Sequence, residues 1–115
     1  MLIKIFVYDD NAARRESLKT LIQMSDNMEF VGEAANCDNA LPDMKTCKPD
    51  VVLMDINMPG VNGLQGLKLI KTKYPHIKVL MQTVFEDSEK IFNSIRNGAS
   101  GYVLKKDSTL KLVNA

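Results

Sequence analysis

The sequence predicts a doubly wound α/β domain: five βα units around a five-stranded parallel sheet. Three observations predict it. Short apolar runs recur at regular intervals, each followed by a segment with apolar residues at helical spacing. Several of these runs lack polar alternation, the mark of strands covered on both faces. The chain has 115 residues, enough for one domain with a real core. Connections of this size are right-handed crossovers.

The elements follow in order. Residues 2–8, LIKIFVY, form the first strand. Asn11 caps a helix over about 12–24, with Leu18, Leu21 and Ile22 on one face. Met28 to Ala34 is a second, weaker strand. A helix over about 37–47 turns Ala40, Leu41 and Met44 inward, and Pro49 closes the connection. Pro42 falls inside that helix, so the helix either starts late, near Asn39, or is kinked. Val51 to Met54 is the third strand, nearly all apolar. Residues 61–73 are helical through Leu64, Leu67 and Ile70, and Pro75 ends them. Ile77 to Met81 is strand four. Ile91, Phe92 and Ile95 mark a helix over 87–97, stopped by Gly98. Tyr102 to Leu104 is strand five. A last helix starts at Ser108 and has barely two turns, so a longer parent or a trimmed chain is expected.

Composition narrows the functions. The formal net charge is +1, which gives no basic surface for nucleic acid. Cys37 and Cys47 are read as reduced thiols in or near the core. With one histidine in the chain, most transition-metal constellations are ruled out. The opening MLIKIFVYDD is too short and too quickly acidic for a signal peptide or a membrane span. A reduced, cytoplasmic setting is the default.

In an open parallel sheet, ligands bind beyond the carboxyl ends of the strands, where the strand order switches. Asp9 and Asp10 follow strand one, Asp55 follows strand three, Gln82 and Thr83 follow strand four, and Lys105 follows strand five. Taken singly, each has a plain reading: a turn former, a helix cap or a surface lysine. Together they gather on one edge. Three carboxylates in a small cleft repel one another, and a divalent cation relieves that repulsion. Oxygen-only ligands point to Mg²⁺, or Mn²⁺, and not zinc. A metal, a lysine and a hydroxyl around one carboxylate suit a phosphoryl group, with the carboxylate as nucleophile.

Asp9-Asp10, MDINMPGVNG (54–63), Thr83 and GYVLKK (101–106) resemble a response regulator receiver domain of two-component signalling. VVLMDINMPGVNG and GASGYVLKK resemble most the subfamily with a C-terminal helix-turn-helix output domain. The resemblance covers essentially all of residues 1–115. It implies a flavodoxin-like sheet of order 2-1-3-4-5 with a truncated last helix, and a DNA-binding domain that lies outside this chain. By the same resemblance Asp55 is the phosphoacceptor, Asp10 a direct Mg²⁺ ligand, Asp9 its partner, and the Asn57 backbone carbonyl a further ligand. Lys105 pairs with the phosphoryl group. Thr83 is the switch hydroxyl and Tyr102 the aromatic that moves with it. Pro59 and Gly60 shape the loop after the nucleophile, and Gly63 eases entry into the third helix. The partner implied is a histidine kinase or a histidine phosphotransfer protein, with homodimerisation on phosphorylation and no nucleic-acid or membrane contact by this domain. Such a domain catalyses its own phosphorylation, and slow dephosphorylation, without turning over a metabolite.

Three positions depart from the family pattern. Lys106 stands where many relatives have Asp. Gln82 precedes the switch threonine, where relatives more often carry an apolar or small residue. Phe85, two past Thr83, is large enough to screen the phosphate from water. The rival readings are weaker. An aspartyl-phosphate phosphatase needs an acid two residues after its nucleophile, and Asn57 stands there. A flavodoxin-like cofactor binder needs a Ser/Thr/Gly-rich phosphate loop, and this chain has DDNAARR. A receiver-like interaction module independent of phosphorylation has no use for the intact set Asp10, Asp55, Thr83 and Lys105.

Overall fold

The computed structural model describes residues 2–56, 58, 60, 62–83 and 101–104, with the backbone path alone for 83 and 101–104. The elements are β1 (Ile3–Tyr8), α1 (Ala12–Gln23), β2 (Met28–Ala34), α2 (Ala40–Cys47), β3 (Val51–Asp55), α3 (Gly63–Lys73), β4 (Lys78–Thr83) and β5 (Gly101–Leu104). The strands form one sheet of order β2-β1-β3-β4-β5, parallel throughout. The order expected from the resemblance is therefore found. The helix expected over 87–97 and the last one from Ser108 lie outside the described residues.

Alternation along the central strands divides the interior in two. Phe6, Tyr8, Val52, Met54, Val79 and Met81 face α2 and α3 in the larger core, with Met44, Leu67 and Ile70 from those helices. Ile5, Val7 and Leu53 face the other way, onto Leu18 and Ile22 of α1. Leu67, Ile70 and Val79 are wholly buried, each worth about 1.5–3 kcal/mol of transfer free energy. Gly32 lies opposite Phe6, where the β1–β2 register shifts, and its missing side chain leaves room for the Phe6 ring.

The helix starts follow from their caps. The Asn11 side chain accepts from the Arg14 amide at 3.1 Å, as expected. Asn62 and Gln65 form a reciprocal capping box, so α3 starts at Gly63, two residues inside the expected boundary. The late start of α2 resolves Pro42. With Asn39 as N-cap, Pro42 is the third helical residue, where no intrahelical N–H bond is due. The first such bond comes from the Asp43 amide to the Asn39 carbonyl, at 2.9 Å.

β4 runs two residues further than expected. Gln82 and Thr83 belong to the strand: Gln82 pairs with Asp55 and Thr83 with Leu104. The Ile56 amide donates to the Gln82 carbonyl at 3.1 Å. Their polarity suggested a loop, yet the ladder continues to the sheet edge.

Both cysteines are free thiols, Cys37 buried and Cys47 half-buried. Burial, with help from the Asp38 and Asp43 carboxylates, pushes the Cys37 thiol up to about 12. Burial also raises the Tyr8 hydroxyl, which donates to Asp43 Oδ2 at 2.9 Å. The folded state thus keeps protons that the unfolded chain gives up, and this contribution is lost as pH rises. The urea midpoint will hold steady near neutrality and fall from about pH 9 upward. Cys37→Ala will flatten part of that fall. A midpoint unchanged above about pH 9 would contradict the assignment.

Candidate functional site

β1 lies between β2 and β3, so the strand order switches there and opens a crevice at the carboxyl edge. Asp9 follows β1 directly, and Asp55 is the last residue of β3. Both continue the face of Val7 and Leu53, above the smaller core. Asp9 is 0 % exposed and Asp55 2 %. Asp10 is exposed at the rim. One carboxylate oxygen from each of Asp9, Asp10 and Asp55 lies within 4.8 Å of the others.

Hard oxygen donors at this spacing, two of them buried, fit a divalent cation such as Mg²⁺ or Mn²⁺. Burying like charges together is costly without a cation among them. The cluster is thus able to coordinate such an ion.

Asp9 also does what a strand-end aspartate ordinarily does. Its Oδ1 accepts from the Asn11 amide at 2.9 Å. Its backbone carbonyl accepts from Arg15 Nη1 at 2.7 Å, while Arg15 Nε pairs with Glu33 at 2.9 Å. The turn and the cluster share one residue.

The loop after Asp55 is fixed by two glycines. Gly60 has φ +71, a left-handed conformation, and a side chain there would press on the Asp38 carboxylate. Gly63 is required by proximity. A Cβ on it would collide with the Asp55 carbonyl oxygen and approach Ile56 Cα at 2.8 Å. The Gly63 amide instead donates to the Ile56 carbonyl at 3.0 Å.

Of the other expected residues, the structure describes less. The Thr83 backbone ends β4 beside Leu104, and the Tyr102 backbone pairs with Met81. Their side chains lie outside the described residues, as do Asn57, Pro59, Lys105, Lys106 and Phe85 in full.

Sequence reasoning missed Arg14. From the first turn of α1, its Nε lies 3.3 Å from Asp9 Oδ2. Its Nη2 donates to Gln82 Oε1 at 2.7 Å and its Nε to the same oxygen at 3.3 Å. The signal was Gln82 itself, a polar residue where an apolar one was expected.

Known proteins agree with this geometry. Residues 5–115 match the family described as response regulator receiver domain. The transcriptional regulatory protein LnrK of Bacillus subtilis is 43% identical over 114 residues, 99% of this chain and 52% of that protein. DegU of Brevibacillus brevis is 35% identical, over 98% of this chain and 48% of its own. The chain thus spans about half the length of these curated relatives. Among solved structures, the response regulator domain of Thermotoga maritima CheB superposes with a TM-score of 0.91 at 32% identity, covering 99% of this chain and 92% of that one. A DNA-binding response regulator of the LuxR family from Staphylococcus aureus gives 0.90 at 30%, covering 98% and 94%. No described helix is long and apolar enough to cross a membrane. A parallel sheet of this order, with three carboxylates gathered at its switch point and these relatives, has one reading: the chain belongs to the response regulator receiver domain family.

Proposed function

We propose that this domain accepts a phosphoryl group on Asp55 from the phosphohistidine of a histidine kinase or histidine phosphotransfer protein. The observation that carries the reading is the convergence of Asp9, Asp10 and Asp55 at the carboxyl edge. An Asp55 carboxylate oxygen attacks phosphorus, the P–N bond breaks, and its electron pair leaves with the imidazole. Asp9, Asp10, Asp55 and the Asn57 backbone carbonyl would hold Mg²⁺, which neutralises charge on the transferring oxygens when bound. β3 is the rigid mount: the strand lies between β1 and β4, and Asp55 itself pairs with Gln82 of β4.

Lys105 then pairs with the phosphoryl group, and the Thr83 hydroxyl donates to it. Tyr102 follows Thr83 and changes the surface at strand five. Residues 1–115 act as the phosphoacceptor part of a cytoplasmic transcription regulator, whose DNA-binding part lies outside this chain. Phosphorylation favours a homodimer. LnrK, named as a transcriptional regulatory protein, supports that output.

The test is incubation with a small phosphodonor and Mg²⁺, followed by intact mass. The expected result is a gain of one phosphoryl group that EDTA prevents. No gain with any divalent metal would leave the interaction-module reading in its place.

A further inference from the structure

We propose that Arg14 is a resident counter-ion of the carboxylate site, held there by Gln82, so that a divalent cation binds by drawing Asp9 away from this guanidinium. The inference rests on the metal-dependent phosphoacceptor reading above. It adds to the site a group that sets how tightly the metal is held.

Gln82 is the starting point. It is 0 % exposed, on the strand residue paired with Asp55. A buried amide is costly unless its polar atoms are satisfied. Here one end is satisfied by a single partner: Oε1 accepts from both Arg14 Nη2 and Nε, at 2.7 and 3.3 Å. Those donors fix the amide's orientation, since only its oxygen can face them. Its Nε2 is buried and has no hydrogen-bond partner among the described residues. Leucine would fill this place without leaving a donor unsatisfied. The amide therefore earns its position through what it does to Arg14.

What it does is aim the guanidinium. Arg14 emerges from the first turn of α1, 20 % exposed, and has room to reach into solvent. The two-pronged bond to Gln82 instead holds its Nε 3.3 Å from Asp9 Oδ2. That is the Asp9 oxygen not used by the Asn11 turn. Without metal, the contact offsets part of the repulsion among the buried carboxylates. With metal, the same positive charge opposes the incoming cation and competes for the same carboxylate. The role assigned to Arg14 is on the metal and not on the phosphoryl group, so it is a tuning group, and Gln82 is a positioning residue acting through it.

The test uses the full 115-residue chain. Mn²⁺ affinity is read from the resonance of the free ion, and melting temperature is read with and without Mn²⁺. Arg14→Met will bind Mn²⁺ roughly tenfold tighter, one decade being 1.4 kcal/mol. It will melt lower than wild type in EDTA and recover more on adding Mn²⁺, which a purely structural arginine would not produce. Gln82→Leu will tighten binding by less. The double variant will bind no tighter than Arg14→Met, because Gln82 acts through Arg14. Arg14→Lys keeps the charge and will stay nearer wild type. Equal or weaker Mn²⁺ binding by Arg14→Met overturns the inference. If that variant does not fold, unchanged affinity in Gln82→Leu overturns it instead. The outcomes separate from those of the phosphoacceptor reading: a wild type that binds Mn²⁺ but gains no phosphoryl group sinks that reading alone.

Discussion

Asp55→Asn will end the gain of one phosphoryl group from a small phosphodonor while leaving the fold intact. The amide has the shape of the carboxylate, so β3 keeps its ladder to β1 and β4 through backbone bonds that the change does not touch. The nucleophilic oxygen is what is lost. Metal binding suffers too, because one of three clustered carboxylates becomes neutral. Mn²⁺ affinity should drop at least about tenfold, the loss that removing even an outer partner of a metal site can cause. Intact mass and the free-ion resonance give the two readouts. A mass gain that persists in the variant would move the phosphoacceptor to another residue.

Gly63→Ala will unsettle the same site from behind. The new Cβ meets the Asp55 carbonyl and sits 2.8 Å from both the Asp55 carbonyl carbon and Ile56 Cα. These are backbone atoms, so no rotamer change relieves the contact. The strand end cannot yield easily either, since the Ile56 amide is bonded to the Gln82 carbonyl. Either α3 retreats, loosening Leu67 and Ile70, or Asp55 shifts. A cost of about 3 kcal/mol is expected, the upper part of the overpacking range. That corresponds to a fall in melting temperature on the order of 15 °C. Mn²⁺ affinity should weaken alongside. Gly66→Ala is the control. Its Cβ would meet Cys37 and Met54 side chains, not the Asp55 backbone, and it lies about one turn of α3 beyond Gly63. It should cost less stability and leave metal affinity unchanged. Equal losses in the two variants would refute the claim that Gly63 supports the carboxylate.

Much of the fold was legible because apolar runs and caps are local signals. Met28–Ala34 and the cap at Asn11 needed nothing beyond the chain's own pattern. The end of β4 was not legible, because Gln82 is polar for a reason that lies on α1, where Arg14 holds its amide oxygen. Pro42 posed a question whose answer depended on where α2 began. The carboxylate cluster was readable since its members all sit at strand ends. Arg14 was not, because the partner that aims it is far along the chain: Gln82 lies 68 residues away. A charged residue on the first turn of a helix looks like solvated surface until the sheet edge is folded beside it. The hydrogen bond from Tyr8 to Asp43 was hidden for the same reason, spanning 35 residues between a strand and a helix.

The two cores on opposite faces of the sheet have a consequence for how such a domain can diverge. Asp9, Asp55 and Gln82 extend the face that packs on α1, above Val7 and Leu53. The larger set, from Phe6 to Met81, lies behind the sheet against α2 and α3. Substitutions there reach the chemistry only through the backbone, so that half of the interior can drift, repack or acquire a new docking partner at little cost to the carboxylates. The smaller half has no such freedom. Changes in Leu18, Ile22 or Val7 tilt α1, and with it the arginine beside Asp9. Lineages descended from this fold should therefore vary fastest behind the sheet and hold still in front of it.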